Sequence, residues 1–388
     1  MAGRRFLMSF SVVQVVGNVA MGGAERHARD LVAGLRARDV EVHVVCARLG
    51  PLVEQLRSDG VSVRCLEMAF PRPGDEYGLD WAAVEQLEQY LREREPEVVH
   101  SHLYPAHLHA SLAATRAGVP GVVHTAHTLV VRPGDALLGR LTPVHIIATS
   151  QVVRQLQAAA GVPHERIDVI YNGVGDVHFE TQASLVTEAR RSLGLGEGPV
   201  LGVVSRLSPE KGIEVLLHAT QHLSRRIPNT TLIVAGDGPE WPRLRALARE
   251  LDLEGVVRFL GARTDVAVLN RLFDIFALPS REEACSIALL EAMAAGCAVV
   301  ATGVGGSVEL IKPGVDGCLV PADDPEALAE AIYALMLDPA RRSALGQAAR
   351  RAVANRFTLA GMVEQTLNLY QRLLRIEIGA GTTAPLAC

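Results

Sequence analysis

The chain has 388 residues, of which 49% are hydrophobic and 21% are charged. This length and apolar content are sufficient for a large core and favour two domains over one. The formal net charge of −5 argues against a protein that binds nucleic acid or another polyanion. The six cysteines show no CxxC spacing, which argues against structural zinc and predicts reduced thiols in a cytoplasmic protein.

The apolar segment FLMSFSVVQVV, which follows two arginines near the start of the chain, has two interpretations. It resembles the core of a signal peptide. It also fits a buried first strand that leads through Gly17, Gly22 and Gly23 into the helical pattern AERHARDLVAGLRAR, and we favour this interpretation. No stretch of the sequence approaches 18 uninterrupted apolar residues, so no membrane-spanning helix is expected.

The helix predicted over residues 24–38 carries four arginines beside an apolar stripe of Leu31, Val32 and Leu35. Such a helix suits the anionic surface of a membrane. It also suits a position on a sheet, with its apolar stripe on the core and its arginines in solvent. Two acidic residues dilute the positive charge, so we favour the second position and expect at most peripheral contact with the inner membrane surface.

Short β-branched runs alternate with longer helical patterns in both halves of the chain. The first half contains VEVHVVCA, VSVRCLE, PEVVHSH, GVVHTAH and HIIATS, and the second contains PVLGVVS, TTLIVAG, VVRFLG, DIFALPS and CAVVAT. This alternation predicts an α/β fold with doubly wound parallel sheets. We predict two Rossmann-like domains over residues 1–176 and 177–358, with a ligand cleft between them. The last long helix, at about residues 359–378, is expected to pack back on the first domain.

Glu283 and Glu291 lie eight residues apart in SREEACSIALLEAMAAG, the most informative segment of the chain. The segment fits a helix that starts after Glu283 and ends at Gly296. Eight residues of helix span about 12 Å, so one carboxylate is able to bind sugar hydroxyls while the other binds a ribose. The N–H groups at the helix start, near Cys285 and Ser286, suit a diphosphate. The segment therefore predicts a nucleotide-sugar site.

Two cations flank the end of another predicted strand, GVVSRL. Arg206 lies at the strand end, and Lys211 follows in the loop SPEKG before an amphipathic helix. Opposing cations would stabilise a diphosphate leaving group as its bond to a sugar breaks. Two solvated charges on a turn are the alternative, and the nearby glutamate pair makes the diphosphate site the better interpretation.

Glycines follow predicted strands at two further places. Gly236 lies in AGDGP, between a strand and a helix, and Gly22 and Gly23 occupy the corresponding place in the first half. These turns would let the backbone approach a nucleotide or an acceptor. Plain tight turns explain the same glycines, so both interpretations stay open.

Three histidine pairs, HSH, HLH and HTAH, follow or adjoin predicted strands and together resemble a metal site. No acidic or cysteine ligand accompanies them, and 13 histidines are spread through the chain, so we expect no bound metal and no other cofactor. His102 and His127 lie at strand ends, where they would contact the acceptor or the donor sugar. A structural role explains His102 almost as well.

Together these motifs resemble the retaining glycosyltransferases of family four, which have the two-domain GT-B fold. The resemblance covers nearly the whole chain and rests on GGAER, HTAH, NGV, SRLSPEKG, AGDGP and the segment from Glu283 through EAMAAG to Glu309. The family usually has glycine and bulky residues after its first glutamate. This chain has Ala-Cys-Ser there, which leaves the identity of the donor sugar open.

The resemblance implies roles for individual residues. Arg206 and Lys211 would hold the donor diphosphate. Glu291 would bind the ribose, Glu283 the transferred sugar, and His127 would lie beside the reacting centre. Residues at strand ends or at the helix start form the predicted donor-binding set: Gly22, Gly23, Arg206, Lys211, Gly236, Glu283, Ala284, Cys285, Ser286, Ile287 and Glu291. The predicted catalytic residues are His127, Glu283, Arg206 and Lys211, and the predicted acceptor contacts are His102 and His127.

The residues and the resemblance together predict a cytoplasmic, metal-independent hexosyltransferase that retains anomeric configuration. We expect a UDP-sugar of the glucose or N-acetylglucosamine type as donor. The acceptor would be a hydroxyl of a glycan, a glycolipid or a small natural product. A GDP-mannose-dependent mannosyltransferase is the main alternative, followed by a non-catalytic nucleotide-sugar-binding protein and a sugar-nucleotide epimerase. The sequence leaves the oligomeric state open.

Overall fold

A computed structural model describes residues 10–17, 22–68 and 78–380 of the chain. Residues 6–9 of the segment for which the sequence suggests a signal peptide lie outside these ranges. Its last part forms the strand Ser11–Val16, in which every residue after Ser11 is buried. The described part of this segment is therefore a buried strand, as favoured from the sequence.

The chain divides into two compact units. Unit 1 contains the residues up to Tyr171 together with those from Leu359 onward, and unit 2 contains Asn172–Thr358. This division precedes the predicted boundary at residues 176 and 177. The reason is that the Val174 N–H donates to the Phe357 carbonyl at 3.0 Å, which ties the segment after Tyr171 to the end of unit 2.

The described part of unit 1 is built on a parallel sheet of seven strands. Most strand side chains are valine, isoleucine or histidine and are buried, as expected for a parallel sheet covered on both faces. In chain order the strands are β1 Ser11–Val16, β2 Glu41–Cys46, β3 Ser62–Cys65, β4 Val98–His102, β5 Gly121–Ala126, β6 His145–Ala148 and β7 Ile167–Val169. Their order across the sheet is β3-β2-β1-β4-β5-β6-β7.

Unit 2 is built on a second parallel sheet, which has six strands. In chain order they are β8 Val200–Val204, β9 Thr231–Ala235, β10 Val257–Gly261, β11 Ile275–Leu278, β12 Ala298–Thr302 and β13 Cys318–Val320. Their order across the sheet is β10-β9-β8-β11-β12-β13. Both sheets therefore reverse their strand order next to the first strand of the unit, which confirms the predicted doubly wound fold.

Helices connect the strands in both units. In chain order they are α1 Gly23–Arg36, α2 Pro51–Ser58, α3 Trp81–Arg94, α4 Ala106–Ala117, α5 Pro133–Leu141, α6 Gln151–Ala159, α7 Ala183–Ser192, α8 Ile213–Arg226, α9 Trp241–Glu250, α10 Val266–Leu272, α11 Ile287–Ala294, α12 Ser307–Leu310, α13 Pro325–Leu337, α14 Pro339–Arg356 and α15 Leu359–Ala380. Three short 3₁₀ turns add His164–Arg166, Asp176–His178 and Pro209–Lys211.

Helix α15 completes the core of unit 1 although it follows unit 2 in the chain. Met362, Val363 and Tyr370 of α15 lie in one apolar cluster with Leu31 and Leu35 of α1. The apolar stripe of α1 is therefore buried in unit 1, as expected for a helix that covers a sheet. Among the described residues, no helix is both long enough and apolar enough to cross a membrane.

Candidate active site

In doubly wound sheets, ligands bind at the carboxyl ends of the strands where the strand order reverses. In unit 2 this reversal lies between β8 and β11. Arg206 and Lys211 follow β8, and Glu283 follows β11. The topology therefore brings Lys211 and Glu283 to one edge of the sheet, although 72 residues separate them in the chain.

Gly212 allows the loop after β8 to approach the end of β11. It has a φ of +61°, and a side chain at this position would lie 2.2 Å from the Pro279 carbonyl oxygen. A hydrogen bond from the Arg281 N–H to the Glu210 carbonyl, 2.8 Å long, ties the same two segments together. The glycine and this hydrogen bond hold Lys211 beside the segment after β11.

Glu283 is the centre of a small charged cluster in unit 2. Lys211 Nζ donates to Glu283 Oε1 at 2.8 Å, and Ser280 Oγ donates to the same oxygen at 2.7 Å. The Glu283 side chain is only 6% exposed. Its other oxygen, Oε2, has no hydrogen bond with any residue that the structure describes. That oxygen is therefore available to accept from a ligand hydroxyl.

Helix α11 begins at Ile287, immediately after the segment that the sequence assigns to the donor diphosphate. Ser286 is its N-cap, and Ser286 Oγ accepts from the Leu289 N–H at 3.3 Å. The cap satisfies one of the N–H groups that a helix start leaves without an intrahelical partner. Fewer of these groups therefore remain for an anion than the sequence suggests.

The residues between Glu283 and α11 are buried. Ala284 and Cys285 are 9% and 7% exposed, and the Cys285 carbonyl accepts from Asn172 Nδ2 at 2.8 Å. Burial raises the pKa of the Cys285 thiol to about 12, so this thiol is protonated and unreactive at neutral pH. Asn172 belongs to the NGV motif, and its contact shows how that motif supports the glutamate segment.

Glu291 lies one turn into α11, as predicted, and faces a histidine. Glu291 Oε1 lies 3.2 Å from His178 Nε2, and the Glu291 side chain is 1% exposed. His178 ends the 3₁₀ turn Asp176–His178. The Glu291 carboxylate is thus held inside unit 2, and its contact with a ribose stays a prediction.

Arg206 and Gly236 follow β8 and β9. Arg206 is exposed and makes no hydrogen bond or ion pair with the described residues, so its charge is available to a ligand. The Gly236 N–H donates to the Gly261 carbonyl at 2.7 Å, and a side chain at Gly236 would lie 1.8 Å from the Ser205 carbonyl oxygen. The packing of the backbone therefore explains this glycine. Glu309, which ends the segment that carries the family resemblance, is half-buried on α12.

Histidines collect at the corresponding reversal of unit 1, between β1 and β4. His102 ends β4, His127 follows β5, and His27 lies in the first half of α1. The centroids of the three rings are 4.8 to 5.6 Å apart. The structure therefore brings the two predicted histidines together and adds His27, which the sequence analysis does not select.

A chain of buried hydrogen bonds orients these rings. The Tyr370 hydroxyl accepts from Gln14 Nε2 at 3.2 Å and donates to His100 Nδ1 at 2.5 Å. Gln14 Oε1 can only accept, so His102 Nε2 donates to it at 2.7 Å. His102 Nδ1 is then an acceptor, and His127 Nε2 donates to it at 3.1 Å. The chain thereby assigns one tautomer to each ring.

Burial keeps several histidines of unit 1 neutral. It lowers the pKa of His100, His102 and His127 well below the ordinary value, and neighbouring histidines lower each of them further. Burial also lowers the pKa of His107 to about 3. His107 is stacked on His124, with ring centroids 3.7 Å apart. Neutral donors and acceptors therefore line this part of unit 1.

An acidic side chain lies at the start of α1, where Gly22 is the N-cap and Gly23 the first helical residue. The Gly22 N–H donates to Glu25 Oε2 at 3.1 Å, and Glu25 is 3% exposed. A phosphate at this helix start would meet the Glu25 carboxylate, so the geometry gives no support to the predicted donor contacts of Gly22 and Gly23. Residues 18–21 of the preceding turn lie outside the described ranges.

Sequence reasoning misses several residues of these two clusters. A signal for Gln14 is present, because SVVQVV places one amide in an apolar strand, where a buried polar group needs a partner. His178 gives no comparable signal, since nothing in its neighbourhood indicates burial. HLH follows β4 as predicted, but His107 and His109 lie in α4, which begins only a few residues after that strand.

Two family models match the chain. The model of Glycosyltransferase Family 4 matches residues 21–176, and the model of Glycosyl transferases group 1 matches residues 186–352. The two matched ranges correspond to most of unit 1 and most of unit 2.

Known proteins agree with these matches. A D-inositol 3-phosphate glycosyltransferase of Salinispora arenicola is 32% identical over 86% of this chain and 84% of the relative. A GDP-mannose-dependent alpha-(1-6)-phosphatidylinositol monomannoside mannosyltransferase of Mycolicibacterium smegmatis is 32% identical over 61% of this chain and 66% of the relative. The crystal structure of Anabaena HepE in complex with UDP and glucose is 26% identical, with a TM-score of 0.84 over 93% of this chain and 99% of that chain.

The matches confirm both the GT-B fold and the resemblance on which the sequence analysis relies. Both units take part in them, and the Salinispora relative is covered over more than four fifths of its length. The chain is therefore a glycosyltransferase of the hexosyl-transferring class and belongs to the group 1, family 4 glycosyltransferases.

Proposed function

We propose that this glycosyltransferase moves a hexosyl group from a UDP-sugar to an acceptor hydroxyl, with retention of configuration and without a catalytic metal. The observation that carries the proposal is the Glu283 carboxylate. One of its oxygens is held by Lys211 and Ser280, and the other has no partner among the described residues. A buried carboxylate fixed in this way is suited to accept hydrogen bonds from sugar hydroxyls.

The cations after β8 supply the charge that a departing diphosphate requires. Lys211 is 22% exposed and donates to Glu283 at 2.8 Å, while Arg206 is exposed and uncommitted within the described residues. Arg206 would bind the diphosphate first, and Lys211 would share its donors between the phosphate and Glu283. Such fixed charges stabilise negative charge as it develops in the transition state. In this proposal the basic side chains stabilise the diphosphate charge that a divalent cation stabilises in other transferases.

The proposed reaction is a displacement on one face of the sugar. The bond between the anomeric carbon and the diphosphate oxygen breaks, and a bond from the same carbon to the acceptor oxygen forms on that face. The acceptor proton moves to the departing phosphate oxygen, so the products are UDP and the glycosylated acceptor. The protein supplies positioning and charge stabilisation and needs no covalent nucleophile. The role of His127 at the reacting centre stays a prediction.

The known proteins support this choice of donor without deciding it. The crystal structure of Anabaena HepE, which is 26% identical to this chain, contains UDP and glucose. Another crystal structure of HepE contains UDP-glucose. The Mycolicibacterium relative is named for GDP-mannose, so a GDP-mannose-dependent mannosyltransferase is the second candidate. The Salinispora relative is named for an inositol phosphate, which makes a phosphorylated polyol the first small-molecule acceptor to test.

The first experiment is calorimetric titration of the protein with UDP, GDP and ADP in the presence of a chelator. Glu291→Ala is titrated alongside, with Glu326→Ala, an exposed residue of unit 2, as the control. Selective binding of UDP that is lost only in Glu291→Ala would support the proposed donor. Selective binding of GDP would move the proposal to the mannosyltransferase, and no binding of any nucleotide would overturn the donor site.

A product assay then separates transfer from the two remaining alternatives. A transferase releases UDP mainly when the correct acceptor is present, and proton NMR of the product reports the anomeric configuration. Conversion of the donor without an acceptor would indicate an epimerase. Nucleotide binding without turnover on any acceptor panel would indicate a binding protein. The cytoplasmic location stays a prediction and is tested by cell fractionation.

A further inference from the structure

Three imidazoles of unit 1 converge on one point. One ring nitrogen each of His27, His102 and His127 lies within 4.8 Å of the other two, and the pair formed by His102 Nδ1 and His127 Nε2 is only 3.1 Å apart. His27 and His102 are buried, and His127 is half-buried. The three come from α1, the end of β4 and the residue after β5, so the fold rather than local sequence assembles them.

The surroundings of His102 resemble those of a metal ligand. Its Nε2 donates to Gln14 Oε1 at 2.7 Å, which leaves Nδ1 unprotonated, and Nδ1 lies 3.1 Å from His127 Nε2. Histidines that bind metals usually donate their second N–H to an oxygen acceptor, because this fixes the tautomer and the ring orientation. Gln14 is itself fixed by its hydrogen bond to Tyr370. A donor atom is therefore already oriented towards the centre of the cluster.

The ligand set defines the class of ion. Three imidazoles with no carboxylate or thiolate among the described members of the cluster suit Zn²⁺, Co²⁺, Ni²⁺ or Cu²⁺ and do not suit Mg²⁺ or Ca²⁺. In a tetrahedral zinc site with Zn–N bonds of about 2.0–2.1 Å, ligand nitrogens lie roughly 3.4 Å apart. One pair is already close to that distance. The others must approach by no more than about 1.4 Å, a side-chain movement.

We propose that unit 1 binds one divalent transition-metal ion of the zinc type through His27, His102 and His127, with a fourth position left for water. Binding replaces the hydrogen bond between His127 and His102, so His127 carries its proton on Nδ1 instead of Nε2. The site goes beyond the proposed transferase reaction, which uses no metal. Since His127 is a predicted catalytic residue, the ion would inhibit the transfer rather than support it, and this consequence rests on the proposed function.

Direct binding is measured first, because it does not depend on any activity. The full-length protein is treated with a chelator, dialysed and titrated with Co²⁺, and the visible absorption of the ion is recorded. One Co²⁺ per chain with the intense bands of tetrahedral coordination is expected, and Zn²⁺ should displace it. No stoichiometric binding of either ion would overturn the proposal.

Substitutions then locate the ion. His27→Gln should weaken Co²⁺ binding at least tenfold and abolish the tetrahedral bands. His43→Gln, a histidine of the same unit with 9% exposure, should leave both unchanged. Circular dichroism checks the folding of each variant, and His27→Asn replaces His27→Gln if the latter is unfolded. Unchanged Co²⁺ binding in a folded His27 variant would contradict the assignment.

The inhibitory consequence is measured separately. Equimolar Zn²⁺ should lower turnover of the wild type at least tenfold, a chelator should restore it, and His27→Gln should be insensitive to the ion. Stoichiometric binding without inhibition would support the metal site but contradict its proposed effect on catalysis through His127. If no donor or acceptor is ever turned over, the proposed function fails while the Co²⁺ titration still decides the metal site.

Discussion

The two sheets reverse their strand order in the same way and place different chemistry at the reversal. Unit 2 has Glu283, Lys211 and Arg206 there, whereas unit 1 has His102 and His127 at the same kind of position. In unit 2 a buried carboxylate is balanced by a cation at 2.8 Å. In unit 1 burial lowers the pKa of both histidines, so hydrogen bonds rather than charges hold that cluster together.

The difference shows that the sheet topology determines where a site lies, whereas a few side chains determine whether that site is charged or neutral. A charged cluster is suited to stabilise an anion such as a leaving diphosphate. A neutral cluster is suited to donate or accept single hydrogen bonds, or to bind a metal through unprotonated nitrogens. Substitutions in unit 2 should therefore change catalysis most, whereas substitutions in unit 1 should change stability most.

The largest effect is expected for Glu283→Gln. The amide keeps the shape of the side chain and its contact with Ser280 but removes the charge, so we expect turnover to fall about 100-fold, within the range found for single electrostatic groups. Steady-state kinetics measure this loss, and UDP binding should be unchanged. Glu282→Gln, an exposed neighbour, is the control. Wild-type turnover in Glu283→Gln would remove this carboxylate from the mechanism.

Lys211→Met should lower turnover by at least about tenfold, because the diphosphate and Glu283 both lose a cation. The substitution keeps most of the apolar stem of the lysine. Lys312→Met, at an exposed lysine of unit 2, should have no effect. In combination with Glu283→Gln the losses should not add, since the two residues form one pair. Additive losses would mean that the ion pair has no role in the reaction.

Tyr370→Phe tests the neutral cluster through the hydrogen-bond chain of unit 1. Without the hydroxyl, Gln14 Nε2 and His100 Nδ1 lose their buried partner, which should cost about 1–3 kcal/mol in the free energy of unfolding. Urea denaturation measures this change. Tyr90→Phe, at another buried tyrosine of unit 1, should cost much less. An equal loss in both variants would show that the hydroxyl of Tyr370 has no special role.

The smallest effect, over the range from pH 7.5 to 5.5, is a pH dependence of stability that comes from His107. Burial lowers its folded-state pKa from 6.5 to about 3, so below about pH 6.5 the unfolded chain binds a proton that the folded chain does not. Stability is therefore complete above this pH and is lost as the pH falls towards 3, by up to about 1.4 kcal/mol per pH unit. The stacked His124 is also neutral. The Asp135 carboxylate, whose Oδ1 is 3.7 Å away, favours protonated His107 and opposes the shift, but burial is the larger influence on this pKa.

Urea denaturation at pH 7.5, 6.5 and 5.5 measures this dependence. His107→Gln should reduce the slope of stability against pH by about one proton. His222→Gln, at a histidine of unit 2 with a 43% exposed side chain, should not change it. A slope that is the same in wild type and His107→Gln would show that His107 takes up its proton in the folded protein.

The sequence predicts those features that depend on local pattern and on strand ends. The fold, the positions of Glu283 and Glu291 relative to α11, and the meeting of Lys211 with the glutamate segment all follow from alternation and topology. The partners of these residues do not follow. His178 reaches Glu291 and Ser280 reaches Glu283 through side-chain packing, which strand-end reasoning does not resolve.

Long-range contacts explain most of what sequence reasoning misses in unit 1. Gln14 and Tyr370 are separated by 356 residues, and only the return of α15 to unit 1 brings them together. His27 belongs to the histidine cluster because of the direction in which its side chain leaves α1. A periodic sequence pattern predicts only which face of a helix a residue lies on, so it does not predict this contact. Gly236 has a backbone reason that the sequence does not show, and its contact with a nucleotide stays a prediction.

The position of α15 has a consequence for the synthesis of the protein. Unit 2 is an insertion within unit 1, and its two ends meet where the Val174 N–H donates to the Phe357 carbonyl. The ribosome therefore completes unit 2 before it makes the helix that unit 1 requires. At translation rates of about 5–20 residues per second, Gln14 waits on the order of 20–70 seconds for Tyr370. During that interval the polar interior of the first sheet lacks one of its partners, so unit 1 completes its hydrogen-bond chain only after all of unit 2 has been synthesised.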